Sequence, residues 1–299
     1  MATPIPDSHA SFSVHELVQL FGAPLGDLPP DTNELTSVTT DSRAAKAGTL
    51  FVALVGERMD GHAYAKAAVE RGALAVILSR DLPELAATSA LRFIVADTLV
   101  AWAKLAEYTL SRFRARDERC RVFMVTGSSG KTTTKELTAA ALAAALRGPC
   151  HATAGNLNNL VGAPFTLLGI APAHAAVVVE CGSNAPGEIA RIADMARPHV
   201  ALCMNADIAH TEGMGTVEAV ADEEGSVYGF ASRAVVGNAD EPISLARTAL
   251  ARPGVRHGAL NLVTAELHSA AHRHGEGADH AHPHPHEGGA SHIHYRPRS

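Results

Sequence analysis

A lysine and two threonines close a run of small residues near the middle of the chain, Thr126-Gly127-Ser128-Ser129-Gly130-Lys131-Thr132-Thr133. Small residues let backbone N–H groups approach an anion closely, and the start of a helix adds a partial positive charge. A lysine placed here reaches the β- and γ-phosphates of a nucleotide, and the first threonine hydroxyl can ligate Mg²⁺. The run lacks the opening glycine of the common phosphate loop, because Val125 stands five residues before Gly130. We predict a nucleotide site here and call residues 126–131 the phosphate loop.

The elements around the phosphate loop have the order expected of an α/β fold. A strand is predicted before the loop and a helix after it, which turns a weak glycine pattern into a strong one. The predicted strands are 50–55, 74–78, 93–95, 122–125, 176–181, 200–204 and 234–236, and the predicted helices are 13–21, 62–71, 99–113, 131–146, 187–196 and 217–228. Apolar strands that alternate with helices predict a doubly wound, mostly parallel sheet.

Changes in composition predict three segments. Residues 1–114 form a small N-terminal α/β domain, and residues 115–262 form the domain of the phosphate loop. The charged stretch 114–119 between them predicts an inter-domain linker. Residues 263–299 are rich in His, Ala, Gly and Pro. Such a segment cannot bury enough apolar surface to fold, so we predict a disordered tail.

Composition excludes several classes of protein. The net charge is −6, so attraction to a phosphate backbone is not expected and nucleic acid is not a predicted partner. No apolar run approaches the roughly 18 residues of a membrane helix, and the N-terminus lacks the pattern of a signal peptide. The four cysteines are scattered, at 120, 150, 181 and 203. Scattered cysteines are typical of reduced, buried thiols, so the sequence predicts a cytoplasmic protein without membrane insertion.

Several motifs in order resemble those of the Mur ligase family, whose enzymes build the peptide of bacterial cell-wall precursors. Besides the phosphate loop, they are TTDSR (39–43), LFVAL-x-GER-x-DGH (50–62), GNLNNLVGAPFTLL (155–168), ECGSNAPGEI (180–189), NADIAHTEGMGTVEAVA (205–221) and NADEP (238–242). The resemblance spans residues 36–242 and favours the branch that adds D-alanyl-D-alanine. It implies an N-terminal domain that binds a uridine nucleotide and a central domain that binds ATP.

The resemblance also implies a reaction. ATP would activate the carboxylate of UDP-N-acetylmuramoyl-tripeptide as an acyl phosphate, which the amine of D-alanyl-D-alanine attacks while phosphate leaves. Many anions meet in such a site, so cations and N–H dipoles are required. The implied cofactors are ATP and Mg²⁺. The implied partners are these two small-molecule substrates, and the implied state is a monomer.

Roles for individual residues follow from the same resemblance. It implies catalytic roles for Lys131, Glu180, His210 and Glu224, and Mg²⁺ ligation by Thr132, Glu180 and His210. Glu180 also ends an apolar strand, where doubly wound folds place ligand-binding groups. The nucleotide would contact residues 127–133, with Asn238 facing adenine or ribose. The substrate contacts would be Asp41, Ser42, Arg43, Asn156, Asn158 and Asn159, although asparagines also favour plain turns.

The sequence departs from the family at Glu224, four residues before Tyr228. The family carries a lysine there, modified to a carbamate that presents a carboxylate-like group to a metal. Glutamate presents a carboxylate on a shorter arm, so it either replaces the carbamate or fails to reach. The third reading is that residues 222–224 form a solvated acidic face.

A second departure concerns the amine substrate. The family has a third domain that binds the amine, which needs on the order of 100 residues. The family pattern fades after Pro242, so we expect this chain to bind ATP and the uridine-linked acid without efficient ligation, and catalytic competence stays open.

The histidines of the tail support an alternative function. His280, His282, His284 and His286 fall at every second residue, and spaced imidazoles bind Ni²⁺, Cu²⁺ or Zn²⁺. A nucleotide-binding, metal-handling protein would combine such a tail with a phosphate loop. The motifs of the N-terminal domain have no place in a metallochaperone, so the sequence favours the ligase.

Overall fold

The computed structural model describes residues 6, 8–26, 34–56, 59–116, 121–207 and 214–260. These residues form the following strands and helices: β1 Phe12–Ser13, α1 Val14–Phe21, β2 Glu34–Leu35, β3 Ser37–Thr39, β4 Thr49–Val52, α2 Ala65–Glu70, β5 Ala73–Leu78, β6 Leu91–Ile94, α3 Thr98–Arg116, β7 Arg121–Thr126, α4 Lys131–Leu146, β8 Cys150–Ala152, α5 Ala163–Leu168, β9 Ala176–Glu180, α6 Glu188–Ala196, β10 Val200–Cys203, α7 Val217–Gly225, β11 Ala234–Asn238, α8 Pro242–Ala246 and β12 Arg256–Leu260.

Two parallel sheets organise the chain, and this confirms the predicted α/β fold. The first sheet has the order β3-β4-β5-β6, and the second has the order β12-β11-β10-β7-β9-β8. All neighbours in both sheets pair in parallel. In the second sheet the chain places β8 at one edge and β9 between β8 and β7, and then crosses to build β10, β11 and β12 on the other side of β7. Such a reversal opens a crevice at the carboxyl ends of the strands, where ligands bind in this class of fold.

Helix α3 joins the two sheets through an apolar contact. Its residue Trp102 is fully buried, and the indole Nε1 donates a hydrogen bond to Val161 O at 3.0 Å. The indole also lies edge-on against Phe165 of α5, with ring centroids 4.8 Å apart. One cluster of buried apolar residues continues from Phe12 to Val235 through this contact. The two sheets therefore share a core rather than meeting across a polar gap.

The structure corrects the predicted linker. Helix α3 continues through Arg116, so the first three residues of the stretch 114–119 are helical. The Arg114 guanidinium donates to Ala196 O at 3.1 Å and to Arg197 O at 2.5 Å, where α6 ends. Arg114 therefore stabilises the last turn of α6, because terminal carbonyls of a helix need donors and attract cations.

The fold also continues beyond Pro242, where the sequence pattern was predicted to fade. Helix α8 and strand β12 follow, and β12 pairs in parallel with β11, with Ala234 opposite Arg256. All five residues of β12 are exposed, so this edge strand lacks the apolar alternation that would announce it. The predicted tail, 263–299, lies outside the described residues. Among the residues described, no helix combines the length and apolarity needed to span a membrane.

Histidines gather where the N-terminal segment meets the second sheet. The rings of His151 and His174 stack with centroids 4.9 Å apart. The backbone N–H of His9 donates to Leu168 O at 3.0 Å nearby. Burial, together with the neighbouring His174 and His9, lowers the pKa of His151 to about 4. Protonation of His151 is therefore unfavourable in the folded chain.

We expect the folded state to lose stability in acid through His151. Its pKa is lower in the folded chain than in the unfolded one, so the unfolded chain binds more protons as pH falls from about 6.5 towards 4. Between pH 7 and pH 5 this group should reduce the free energy of unfolding by about 2 kcal/mol. Urea unfolding at both pH values should show a smaller loss in His151→Gln than in the wild type. An identical loss in both proteins would contradict the assignment.

Candidate functional site

The phosphate loop requires glycine at two positions. Strand β7 ends at Thr126, and α4 begins at Lys131. Gly127 has φ +132°, and a Cβ there would lie 2.8 Å from Met204 Cβ. Gly130 caps α4 with φ +78°. Both conformations are open to glycine and strained for other residues, so the loop can bring its backbone close to a ligand.

Lys131 lies over the phosphate loop. Its Nζ donates to the carbonyl oxygens of Gly127 and, at 3.2 Å, of Ser128. Thr132 and Thr133 follow in the first turn of α4, and both are exposed. The loop therefore presents a cation, two hydroxyls and a helix N-terminus on one open surface, an arrangement that suits a polyphosphate.

Asn205 contacts the loop and was missed by the sequence reasoning. Its Oδ1 accepts from Ser129 N at 2.9 Å, and its Nδ2 donates to Ser129 Oγ at 2.9 Å. Its backbone oxygen accepts from Ser128 N at 3.0 Å. Asn238 ends the neighbouring strand β11, as Asn205 follows the end of β10. The Asn238 Nδ2 donates a hydrogen bond to Met204 O at 2.9 Å. A repeated Asn-Ala-Asp at the ends of β10 and β11 was the available signal.

Glu180 lies beside the loop at the end of β9. It pairs in register with Val125 of β7 and is 2 % exposed. Its Oε1 accepts from Asn158 Nδ2 at 2.9 Å. Its Oε2 has no hydrogen-bond partner within the described ranges and lies 3.7 Å from Lys135 Nζ. A buried carboxylate oxygen of this kind fits the hard oxygen ligation that Mg²⁺ prefers.

Lys135 is a second residue that the sequence reasoning missed. It is 1 % exposed, and its Nζ donates to Thr153 O at 2.7 Å and lies 2.9 Å from Glu136 Oε1. Thr153 Oγ1 in turn accepts from Glu180 N at 2.9 Å. Lys135 follows Lys131 by four residues and so lies on the same side of α4, which was the signal. Its charge compensates Glu180 in an interior where a lone carboxylate is costly.

The acidic residues of α7 do not form a solvated face. Glu224 is 2 % exposed, and its Oε2 accepts from Thr126 Oγ1 and, at 2.8 Å, from Gly127 N. Glu223 accepts instead from Gly187 N at 2.6 Å and Ile189 N at 2.9 Å, so it caps α6. Asp222 alone is exposed, and it pairs with Arg247. The solvated-face reading is therefore wrong for Glu223 and Glu224.

Two cysteines lie beneath the site and are buried. Burial raises the pKa of the Cys181 thiol well above its usual value, and the carboxylates of Glu224 and Glu180 raise it further. Burial likewise raises the pKa of Cys203 to about 12. Thiols of such high pKa are poor nucleophiles. The predicted burial is confirmed for these two cysteines, whereas Cys150 is half-buried and Cys120 lies outside the described residues.

The three asparagines of the central motif have different surroundings. Asn158 contacts Glu180, as described above. Asn159 Oδ1 accepts from Gly162 N at 2.8 Å and from Val161 N at 3.2 Å, just before α5 begins. Asn156 is exposed in the preceding turn. Of the three, the structure brings only Asn158 to the predicted Mg²⁺ ligand.

The predicted uridine contacts lie at the carboxyl end of β3, in the first sheet. The Arg43 guanidinium donates three hydrogen bonds to the Asp41 carboxylate: Nε to Oδ1 at 2.9 Å and to Oδ2 at 3.1 Å, and Nη2 to Oδ2 at 2.7 Å. These hydrogen bonds lower the pKa of Asp41. Ser42 between them is buried, whereas the Arg43 side chain is 84 % exposed. An exposed guanidinium held by its neighbour is ready to bind an anion.

The metal set is only partly described. Thr132 and Glu180 are placed beside the loop, but His210 lies outside the described residues. Within the described ranges, no group of three or more His, Cys, Asp or Glu side chains is arranged to hold a metal ion. Thr132 and Glu180 would thus need the nucleotide, water or residues outside these ranges to complete a coordination sphere.

Comparisons with known proteins agree with this geometry. The profile of the Mur ligase middle domain matches residues 125–280, and that of the Mur ligase family catalytic domain matches residues 34–109. The chain is 42 % identical over 207 residues to the UDP-N-acetylmuramoyl-tripeptide–D-alanyl-D-alanine ligase of Escherichia coli K12, covering 68 % of this chain and 42 % of that protein. It is 34 % identical over 210 residues to the ligase of the same name from Bacillus subtilis, covering 70 % and 44 %.

Solved structures show the same similarity. A crystal structure of MurF from Acinetobacter baumannii superposes with a TM-score of 0.74 at 29 % identity, covering 85 % of this chain and 53 % of that one. MurF from Thermotoga maritima, solved in complex with ADP, gives a TM-score of 0.64 at 30 % identity, covering 75 % and 49 %. The chain thus spans about half the length of the proteins it matches. None of these relatives is a metal-handling protein.

Proposed function

Because the chain belongs to the Mur ligase family, we propose that it acts in the ATP-dependent joining of D-alanyl-D-alanine to UDP-N-acetylmuramoyl-tripeptide. The observation that carries this proposal is the phosphate loop between β7 and α4, with the buried Glu180 carboxylate beside it. The names of the relatives support the choice of substrates. We place the activity in the cytoplasm and in a monomer.

Different residues of the chain would bind different parts of ATP and its Mg²⁺. Lys131 would turn from the loop carbonyls to the β- and γ-phosphates, a move that exchanges neutral acceptors for charged ones. The N–H groups of the loop and of the first turn of α4 would bind the same phosphates. Thr132 and Glu180 would hold Mg²⁺, which neutralises phosphate charge when bound. Asn205 would fix Ser129, and Asn238 would close the nucleotide side of the crevice.

The acceptor is held from the other sheet. Arg43, oriented by Asp41, would bind the diphosphate of the uridine nucleotide, with Ser42 at its base. The tripeptide carboxylate would then lie near Asn158, where it takes the γ-phosphoryl group of ATP. Attack by the amine of D-alanyl-D-alanine forms the new amide bond, and phosphate leaves. In both reaction steps, the residues of this chain would position the reactants and compensate their charge. Phosphoryl transfer is generally catalysed in this way.

Binding of both ligands to the full chain tests the proposal. In calorimetry we expect one site for Mg·ATP and a separate site for UDP-N-acetylmuramoyl-tripeptide, each occupied in the presence of the other. Release of phosphate from ATP that requires both the tripeptide nucleotide and D-alanyl-D-alanine would support the proposed reaction as well as the binding of its substrates. Absence of binding for both ligands, or ATP hydrolysis indifferent to the muramoyl peptide, would overturn the proposal.

Arg43 gives a specific prediction for the uridine site. We expect Arg43→Ala to weaken binding of UDP-N-acetylmuramoyl-tripeptide roughly tenfold, because a bidentate partner for the diphosphate is lost. Affinity for Mg·ATP should not change, since the phosphate loop belongs to the other sheet. Arg71→Ala, an exposed arginine at the end of α2, is the matched control. Equal losses in both variants would show a general charge effect instead.

A further inference from the structure

Lys135 is a buried cation that the proposed reaction does not use. Its side chain, 1 % exposed, reaches from α4 to Thr153, just after β8, and to Glu180 at the end of β9. Its Nζ lies 3.7 Å from Glu180 Oε2, the carboxylate oxygen that has no hydrogen-bond partner among the described residues. A positive charge therefore stands beside the oxygen that we propose as a metal ligand.

Hydrogen bonds hold the Lys135 ammonium in this place. Its Nζ donates to Thr153 O at 2.7 Å, and Thr153 is 2 % exposed. Thr153 is itself fixed, because its backbone N–H donates to Val178 O at 3.1 Å and its Oγ1 accepts from Thr166 Oγ1 at 3.0 Å. If the lysine turned away, a buried carbonyl would lose its donor, which is unfavourable. The ammonium therefore stays beside Glu180.

The charges around Glu180 do not favour a free divalent cation. Lys135 already compensates the buried carboxylate. Glu136 Oε1 lies 2.9 Å from the same ammonium, but that side chain is 65 % exposed, so water screens its charge. Lys131 and the amino end of α4 add positive charge one turn away. A metal ion arriving alone would thus meet a compensated carboxylate among positive groups.

We propose that Lys135 excludes free divalent cations from Glu180, so that a metal ion binds there only together with a polyphosphate. Positive groups a few ångströms apart in a protein interior repel each other more strongly than in water. A polyphosphate at the phosphate loop would supply the negative charge that offsets this repulsion. The chain would then take up the metal complex of the nucleotide rather than the metal first. This inference rests on the proposed function, because it takes the phosphate loop as the nucleotide site.

Binding of free Mn²⁺ to the full chain tests this exclusion. Mn²⁺ prefers the same oxygen ligands as Mg²⁺ and is measured directly by electron paramagnetic resonance. Without nucleotide, at about pH 8, where protons compete little with the metal, we expect Lys135→Met to bind Mn²⁺ at least tenfold more tightly than the wild type. Lys104→Met removes an exposed lysine of α3 and should change the affinity less than twofold. Sites that persist in Glu180→Gln, including any in the histidine-rich residues 263–299, are background common to all variants.

The double variant Lys135→Met, Glu180→Gln separates metal exclusion from plain charge compensation. Lys135→Met leaves a buried carboxylate without its counter-ion and should lower the urea midpoint of unfolding. The double variant lacks both charges, so it should regain part of that stability and bind free Mn²⁺ no better than Glu180→Gln. A lysine that only stabilises the fold would give the same recovery of stability with no gain of metal affinity in Lys135→Met. That result would refute the proposal.

The wild type gives a second test that does not depend on the folding of Lys135→Met. Wild type that binds free Mn²⁺ more tightly than Glu180→Gln does would show that the position is open, against the proposal. Mn²⁺ bound only with a non-hydrolysable ATP analogue, and more weakly in Glu180→Gln, would support it.

The same experiments distinguish this inference from the proposed function. Binding of Mg·ATP together with equal affinities of wild type and Lys135→Met for free Mn²⁺ would reject the exclusion and leave the proposed function standing. A chain that binds neither the nucleotide nor its metal complex would reject both.

Discussion

Replacing Lys131 with alanine is expected to weaken binding of Mg·ATP by on the order of a hundredfold. A hydrogen bond to a charged group contributes about 1.5–3 kcal/mol, and about 1.4 kcal/mol corresponds to a factor of ten in affinity. Lys131 is placed over the phosphate loop by its bonds to the carbonyls of Gly127 and Ser128, so its loss removes the cation nearest the phosphates. Isothermal calorimetry with the full chain measures the change.

Two controls separate this effect from general loss of charge or fold. Lys104→Ala removes an exposed lysine of α3 and should leave the affinity for Mg·ATP unchanged. The thermal midpoint of Lys131→Ala should stay within a few degrees of the wild type, because the lysine is partly exposed and its partners are carbonyls that water can also satisfy. Equal affinity of Lys131→Ala and wild type would show that the loop is not a nucleotide site.

The sequence was sufficient where local rules decide structure. Helix α4 spans Lys131–Leu146, as predicted, because glycines end the preceding loop and a strong run of helix formers follows. Strand β9 was predicted one residue too long, because Cys181 after it is equally buried and the turn residues begin only at Gly182. Helix α1 begins at Val14, one residue inside the predicted range 13–21, because Ser13 and Glu16 form a capping box at its start.

Local rules failed where a distant contact decides. Strand β8 has three half-buried residues, and β12 is exposed throughout, so neither carries a period that separates it from a loop. The sequence signals of Asn205 and Lys135, a repeated Asn-Ala-Asp and a four-residue spacing from Lys131, do not name the groups these side chains contact. Their roles come from Ser129, 76 residues away from Asn205, and from Thr153, which follows β8 and lies 18 residues from Lys135. Only the assembled sheet brings these groups together.

The contacts of Glu224 also could not be predicted from the local sequence. The sequence allowed a metal-facing carboxylate, a carboxylate that fails to reach, or a solvated face. The structure gives the side chain a partner that none of these readings named, the first residues of the phosphate loop. Helix α7 lies about 100 residues from the loop in sequence, and no local pattern predicts which of three consecutive acidic residues points inward.

Glu224→Ala is expected to lower the free energy of unfolding by about 3 kcal/mol. The carboxylate accepts from Thr126 Oγ1 and Gly127 N, and both donors are buried. Alanine would leave them without an acceptor, and an unsatisfied buried donor costs about 1–3 kcal/mol. Urea unfolding measures the loss. Glu223→Ala is the matched control: it removes the acceptor that caps α6, and should cost about 1 kcal/mol without affecting affinity for Mg·ATP.

Glu224→Gln distinguishes an anchor of the loop from a metal ligand. Glutamine keeps an oxygen that can accept from Gly127 N but removes the negative charge, so we expect a smaller loss of stability than with alanine. If Glu224 anchors the loop, affinity for ATP should be unchanged or higher with and without Mg²⁺, since a carboxylate beside the phosphates repels them. If Glu224 replaces the carbamate as a ligand, Glu224→Gln should weaken binding only when Mg²⁺ is present. Because its Oε2 already accepts two hydrogen bonds from the loop, we expect the first result, and a loss confined to Mg·ATP would contradict it.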